Sequence, residues 1–254
     1  MKETSYCGSL PLNDLTYNGL KENIRNISKE HDLLDHRINV VSARTLKPIE
    51  SIGNPERKDF PLVKGREVMV EARFGTGAGH AFTDMPGDFE GTVQDVLAMG
   101  LENNFERAVF VSSLNAVLRH LGWIERTVHC RNEEPEACAR HLVQFVRERF
   151  GEPQIAFIGL QPAMVDNLSG NFPIRVSDLD AENVGTSRYG VPIEDVGKTM
   201  EILDWGNVIF ATGSTFVNNT YRSVVKDKPV IFYGVTVAGI AYLTNCLQYC
   251  PLGH

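Results

Sequence analysis

The chain has 254 residues, 43% hydrophobic and 22% charged, with a net charge of -7. That balance excludes a disordered chain, and the acidic surplus speaks against nucleic acid as a partner. The most apolar window, 230–243, holds Gly234, Thr236 and Gly239. It is shorter than the roughly 20 residues of a membrane span, so it reads as a buried strand and helix, with no membrane partner expected. The first residues lack the apolar core of an export signal, and the five cysteines are therefore expected to be reduced thiols of a cytoplasmic protein.

In chain order, residues 13–35 predict an amphipathic helix on Leu15, Leu20, Ile24, Ile27 and Leu34. A strand over 37–43 follows, then a loop over 51–64 with two prolines and mixed charge. Strict alternation of Val68, Val70, Ala72 and Phe74 predicts a strand with one buried face. It runs into Gly75-Thr76-Gly77-Ala78-Gly79-His80, read as a flexible loop able to cradle an anion or, equally, as a plain hairpin turn. A dinucleotide fingerprint is rejected there because His80 stands where the third glycine belongs. Thr92 and Asp95 predict a capping box, 104–121 a helix ending at Gly122, and 134–150 a helix between Pro135 and Gly151.

From residue 154 onward the pattern changes. Four short apolar runs, 155–158, 172–176, 208–211 and 230–233, each end in a polar, mostly glycine-marked turn. Such runs at helix-length intervals predict a parallel sheet buried on both faces, whose ligands sit at the carboxyl ends of its strands. The fold class expected is α/β: an α+β domain over 1–125, then a Rossmann-like domain with a mostly parallel sheet over 126–254.

The turns supply the candidate ligand contacts. Gly159 and Gln161 follow the first run, and Asp178 and Asp180 follow the second at the spacing where an acid meets a ribose hydroxyl. Gly213, Ser214 and Thr215, with Asn218 beyond, gather hydroxyls and amides at an expected helix start suited to an acidic group. Gly197-Lys198-Thr199 imitates the end of a P-loop, but Pro192 occupies the first glycine position. His129, Cys130, Cys138 and His141 fit no standard zinc spacing and read as core thiols and nearby imidazoles. Cys246 and Cys250 would share a helix face if the last helix extends that far, and so form the candidate metal pair for a transition-metal ion.

Several of these motifs resemble the heavy-metal chelation domain family, formerly a domain of unknown function. They are 157–164, Asp178-Leu179-Asp180 with Asn183 and Gly185, 211–220, and Phe232-Tyr233-Gly234; the glycine loop and 113–116 look familial too. The resemblance implies an enolase amino-terminal-like domain closing over a Rossmann-like one to make a composite site. It also implies a role with metal chelates, or condensation or hydrolysis of flavin-, pterin- or siderophore-like molecules. On that basis His80, as proton shuttle, joins Asp84 and Asn115 in approaching from the first domain, while Asn183 and Gly234 complete the ligand shell. The alternatives are a non-catalytic metal or metallophore carrier and a methyltransferase-like nucleotide-binding protein, the latter disfavoured by the sparse glycines. A homodimer is the assembly left open.

Overall fold

The computed structural model describes residues 15–42, 52–64 and 68–254. Helix α1, Tyr17–Glu30, is shorter than the predicted 13–35, since 31–35 form turns and 13–14 lie outside the described residues; Thr16 caps it, accepting the Gly19 N–H at 3.0 Å. Strands β1 (Arg37–Ser42), β2 (Val68–Phe74), β3 (Gly77–Thr83) and β4 (Phe89–Thr92) form an antiparallel sheet ordered β3-β2-β1-β4. A short helix, α2 (Pro61–Lys64), lies within the segment expected to be loop.

The glycine-dense stretch is the hairpin alternative. Only Gly75 and Thr76 turn, Phe74 pairs with Gly77, and the rest is strand β3. Gly75 has φ +52, the left-handed first position of a type II′ turn. The other glycines serve packing: a Cβ on Gly77 would sit 2.1 Å from the Ala116 carbonyl oxygen, and one on Gly79 2.3 Å from that of Ser112. Their absent side chains let a helix backbone lie directly on the sheet.

That helix is α4 (Asn104–His120), capped by Asn103, which accepts the Glu106 N–H at 2.9 Å; Gly122 follows it at φ +71. Before it, α3 (Val93–Ala98) opens on the predicted reciprocal capping box of Thr92 and Asp95. Every residue of α4 from Arg107 to Leu118 is buried, so it is an interior helix with protein on all sides rather than an amphipathic one. Helix α5 (Glu134–Phe150) matches its prediction, with Gly151 at φ +74 beyond it.

The second sheet contains β5 (Ile155–Ile158), β6 (Ile174–Asp178), β7 (Ser187–Arg188), β8 (Val191–Asp195), β9 (Val208–Thr212), β10 (Val230–Tyr233) and β11 (Leu247–Tyr249). Its order is β11-β10-β9-β5-β6-β8-β7, parallel throughout except at β7. The expected mixed α/β class with a mostly parallel sheet is therefore the architecture. Helices α6 (Pro162–Ser169), α7 (Thr199–Trp205), α8 (Ser214–Val217), α9 (Tyr221–Val224) and α10 (Ala238–Thr244) connect the strands.

Three strands of this sheet, like β4 of the first, escaped the sequence pattern. The two residues of β7 are too few to show a period. Strand β8 alternates buried and open residues near the sheet edge instead of forming an apolar run, and β11 is three residues long.

Two apolar clusters hold the layers together. One packs α1, the antiparallel sheet, α3 and α4 against one face of the parallel sheet, so a single core runs through both halves of the chain. The other joins α5 and α6 to the opposite face, and takes in Ile52, Phe60, Leu62 and Met69 from the first half. Arg57 fixes that early segment, pairing with Asp59 at 2.9 Å, Glu136 at 2.6 Å and Asp166 at 2.7 Å. Among the described residues no helix is long and apolar enough to cross a membrane.

Candidate functional site

Strand β5 lies in mid-sheet; the chain moves outward through β6 and β8, then returns to β9 on the other side. This reversal opens a crevice beyond the carboxyl ends of β5 and β9. Gly159, directly after β5, has φ +89, and a Cβ there would meet Thr212 Cγ2 at 2.8 Å and the Tyr233 hydroxyl at 3.0 Å. The two turns touch, and glycine is what permits it.

The crevice is a cavity of 590 Å³, within the range of small-molecule sites. Gly159, Gln161, Asp178, Asp180, Asn183, Ser214, Asn218 and Gly234 all line it, drawn from the turns after β5, β6, β9 and β10. From the first half come Ile52, Phe60, Leu62, Phe82, Thr83 and Asp84, which wall the other side. The polypeptide thus brings most of the sequence-predicted ligand contacts to one mouth.

The acidic turn is a fixed network. Asp178 Oδ2 accepts the Leu160 N–H at 2.5 Å; its Oδ1 accepts the Asp180 N–H at 2.8 Å and the Asn183 side-chain amide at 3.2 Å. Asp180 Oδ1 in turn accepts the Glu182 N–H at 3.0 Å. Gln161 caps α6 by accepting the Met164 N–H at 2.5 Å. These bonds set loop shape while leaving carboxylate edges in the cavity wall. Asp84 accepts from Asn104 Nδ2 at 2.7 Å, and the same amide reaches Asn218 Oδ1 at 3.4 Å, bridging the two halves at the rim.

The expected acid-binding helix start is not built. Helix α8 has only four residues, and two of the amides at its start are already used: Gly213 N–H donates to the Tyr233 carbonyl at 3.0 Å and Ser214 N–H to Thr212 Oγ1 at 3.3 Å. Gly213 and Thr215 stand behind the wall, with Thr215 Oγ1 donating to the Thr212 carbonyl at 2.8 Å. Among the described residues no lysine or arginine lines the cavity, whereas Asp84, Asp178 and Asp180 do. A wall of that sign suits a neutral or positive group better than a bare anion.

His80 and Asn115 do not line the cavity. His80 is buried on β3, its Nδ1 accepting the His129 main-chain N–H at 3.1 Å and its Nε2 facing Glu71 Oε2 at 2.9 Å. The bond from His80, ahead of opposing burial, holds the Glu71 carboxyl below its usual range. Both ring nitrogens of His80 are spoken for, and a shuttle needs one free. Asn115 is fully buried; its Nδ2 spans the carbonyls of His80, Val235 and Thr236 at 3.1 to 3.2 Å, and its Oδ1 accepts the Gly239 N–H at 2.7 Å. It is a strut between β3 and the start of α10.

The cysteine pair is also corrected. Helix α10 ends at Thr244, Asn245 takes a left-handed conformation at φ +54, and β11 follows, so Cys246 and Cys250 flank a strand. At strand rise, four residues are roughly 13 Å apart, too far for one ion. Cys246 is disulfide-bonded, against the reading of all thiols as reduced. Cys130, Cys138 and Cys250 are free, buried and at the cavity wall. Burial pushes Cys138 up to about 12 and Cys250 up to about 11, which keeps them protonated thiols. No group of three or more metal-ligating side chains among the described residues is arranged to hold an ion.

Sequence reasoning missed Phe82, His129, Thr236 and Tyr249 as cavity residues. Phe82 and Thr236 stood beside predicted sites and were within reach of the same logic. His129 stood out in the sequence only as an imidazole beside Cys130 and Cys138, and Tyr249 not at all; packing brings them in from the loop before α5 and from the last strand.

No family model and no curated protein matches the sequence. Among solved structures, the chain is similar to a DUF364-family protein of unknown function from Pyrococcus horikoshii. Identity is 16% over 85% of this chain and 79% of that one, with a TM-score of 0.47. A DUF364-family protein of unknown function from Desulfitobacterium hafniense DCB-2 is 14% identical over 70% and 72% of the two chains, also at a TM-score of 0.47.

Proposed function

We propose that this protein binds a small, neutral or cationic, metal-chelating molecule in a composite cavity between its 1–125 and 126–254 portions. The carrying observation is the wall itself: three carboxylates and no lysine or arginine among the described lining residues, together with the apolar Phe60, Leu62 and Phe82. A ring-bearing ligand with hydroxyl or amine groups satisfies both sides, stacking on the apolar face and donating to Asp178, Asp180 and Asn183. A chelated metal ion would arrive here as part of the ligand, its positive charge offset by the carboxylates.

A second reading is that the same site condenses or hydrolyses a flavin-, pterin- or siderophore-like compound. It is favoured by an imidazole, His129, in the cavity wall. Native mass spectrometry with elemental analysis of freshly isolated protein tests the binding proposal. A retained molecule that is lost in Asp178→Asn while the fold persists supports it. Protein that carries nothing, and takes up no chelate of iron or copper from a hydroxypyridinone or catechol panel, overturns it.

A further inference from the structure

Arg107, on α4, is only 7% exposed, and among the described residues no carboxylate pairs with it. Its Nε donates to the Val217 carbonyl at 2.5 Å, its Nη1 to the Leu101 carbonyl at 2.8 Å, and its Nη2 to Asn104 Oδ1. A buried cation held by neutral oxygens alone is costly. The third of those oxygens belongs to the amide that bridges the two halves at the cavity rim.

The guanidinium sets the direction of that amide. It can only donate, so the end of the Asn104 side chain that meets it is the oxygen. The other end is therefore the NH2, 2.7 Å from Asp84 Oδ1 and 3.4 Å from Asn218 Oδ1. That nitrogen in turn only donates, so the Asn218 atom turned toward it is also an oxygen. Each rim residue is left with one end of opposite kind. Asp84 keeps Oδ2, an acceptor, and Asn218 keeps Nδ2, a donor; among the described residues neither atom has a hydrogen-bond partner in the protein. Both residues line the cavity, and both reach the same nitrogen within 3.4 Å, so acceptor and donor stand side by side.

We propose that this rim determines specificity, and that the bound molecule meets it with a lactam edge: a ring N–H donating to Asp84 Oδ2 and the adjacent C=O accepting from Asn218 Nδ2. This rests on the cavity being the binding site argued above. A carboxylate alone would take any cation, whereas a carboxylate beside an amide NH2 asks for a donor and an acceptor on neighbouring atoms. A flat lactam ring also suits the apolar Phe60, Leu62 and Phe82 of the same cavity. Arg107 and Asn104 are positioning residues, outside the cavity lining, that orient the two groups in contact with the ligand.

The probes are 2-quinolone, 1-methyl-2-quinolone and 4-quinolone. The first has an N–H beside its C=O, the second has lost the N–H, and the third is an isomer with the two groups on opposite sides of the ring. Calorimetric titration of the whole protein should show 2-quinolone bound at least about tenfold more tightly than either, the discrimination that one hydrogen bond to a charged group supplies. Affinities within about twofold of one another, or no quinolone bound by protein that does take up the iron or copper chelates, overturn the lactam proposal while the binding reading stands. Protein that takes up neither overturns both.

Asn104→Asp separates orientation from stability. A carboxylate at 104 still accepts from Arg107, and gives the buried guanidinium an ion pair, but it cannot donate to Asp84 or Asn218. Asn218 then turns its own NH2 toward that carboxylate, and the donor leaves the cavity. The expected result is a thermal midpoint no lower than that of the parent protein, with the preference for 2-quinolone reduced to within about twofold. Asp84→Asn, at an exposed position, is the second variant: preference for 2-quinolone over its N-methyl derivative should vanish there. A preference that survives in either variant overturns the proposal.

Discussion

Asn115→Ala is the substitution whose cost can be worked most fully. The side chain has no exposure and serves both halves: the carbonyls of His80, Val235 and Thr236 share its N–H groups, and its oxygen takes the Gly239 N–H at 2.7 Å. Val235 O keeps a second donor, the Ala238 N–H at 3.1 Å. Alanine leaves at least the Gly239 N–H and the His80 carbonyl without the side chain that served them. At about 1–3 kcal/mol for each buried group left unsatisfied, the loss is roughly 2–6 kcal/mol. With a urea m-value of about 3 kcal/mol/M, the unfolding midpoint falls by about 0.7–2 M. Equilibrium urea unfolding followed by far-ultraviolet circular dichroism measures it. Asn115→Asp is the paired control, because a carboxylate still accepts from Gly239 but cannot donate to the carbonyls, so it too is destabilised. A midpoint shift below about 0.2 M for Asn115→Ala, at unchanged m-value, would refute the strut assignment.

Gly159→Ala introduces a Cβ 2.8 Å from Thr212 Cγ2 at φ +89, so a loss of about 1–3 kcal/mol is expected, read as a lower thermal midpoint. Asp178→Asn has one accepting oxygen in place of two and must abandon either Leu160 or the Asp180–Asn183 pair. Hydrogen exchange should rise in the turn after β6 but not in α4. Arg57→Ala removes three carboxylate contacts and the guanidinium over the Tyr189 ring at 5.0 Å; faster proteolysis of the 52–64 segment, with the parallel sheet intact, is the expected outcome.

The last prediction concerns pH. His129 titrates near its ordinary value of about 6.5 when unfolded and at about 4 when folded, so the unfolded chain binds the extra proton between those values. Its contribution is whole above pH 6.5 and declines as pH falls toward 4; Glu71, whose carboxyl is also held low, adds its loss only below its own ordinary range. Stability against pH should therefore flatten between 6.5 and 5 in His129→Gln, and an unchanged slope there would contradict the assignment.

The sequence by itself determined the elements and their class. Apolar runs at 155–158, 208–211 and 230–233 have one stable use, a strand buried on both faces, and local rules placed the Thr92–Asp95 box and the glycine after α5 without any long-range information. The same logic brought Gly159, Asp178 and Ser214 to one crevice, since parallel strands put their carboxyl ends on one side.

What local pattern could not carry was which polar groups remain available once the chain has packed. His80, Asn115 and the amides at 213–214 look reactive in sequence, but each is consumed by a partner far along the chain or by the turn itself. Cys246 and Cys250 lost their shared helix face because β11 interrupts it. Only tertiary structure placed His129 in the cavity wall, because the packing of the loop before α5 against β3 decides which side chains border a cavity, and a one-dimensional chain does not encode that legibly.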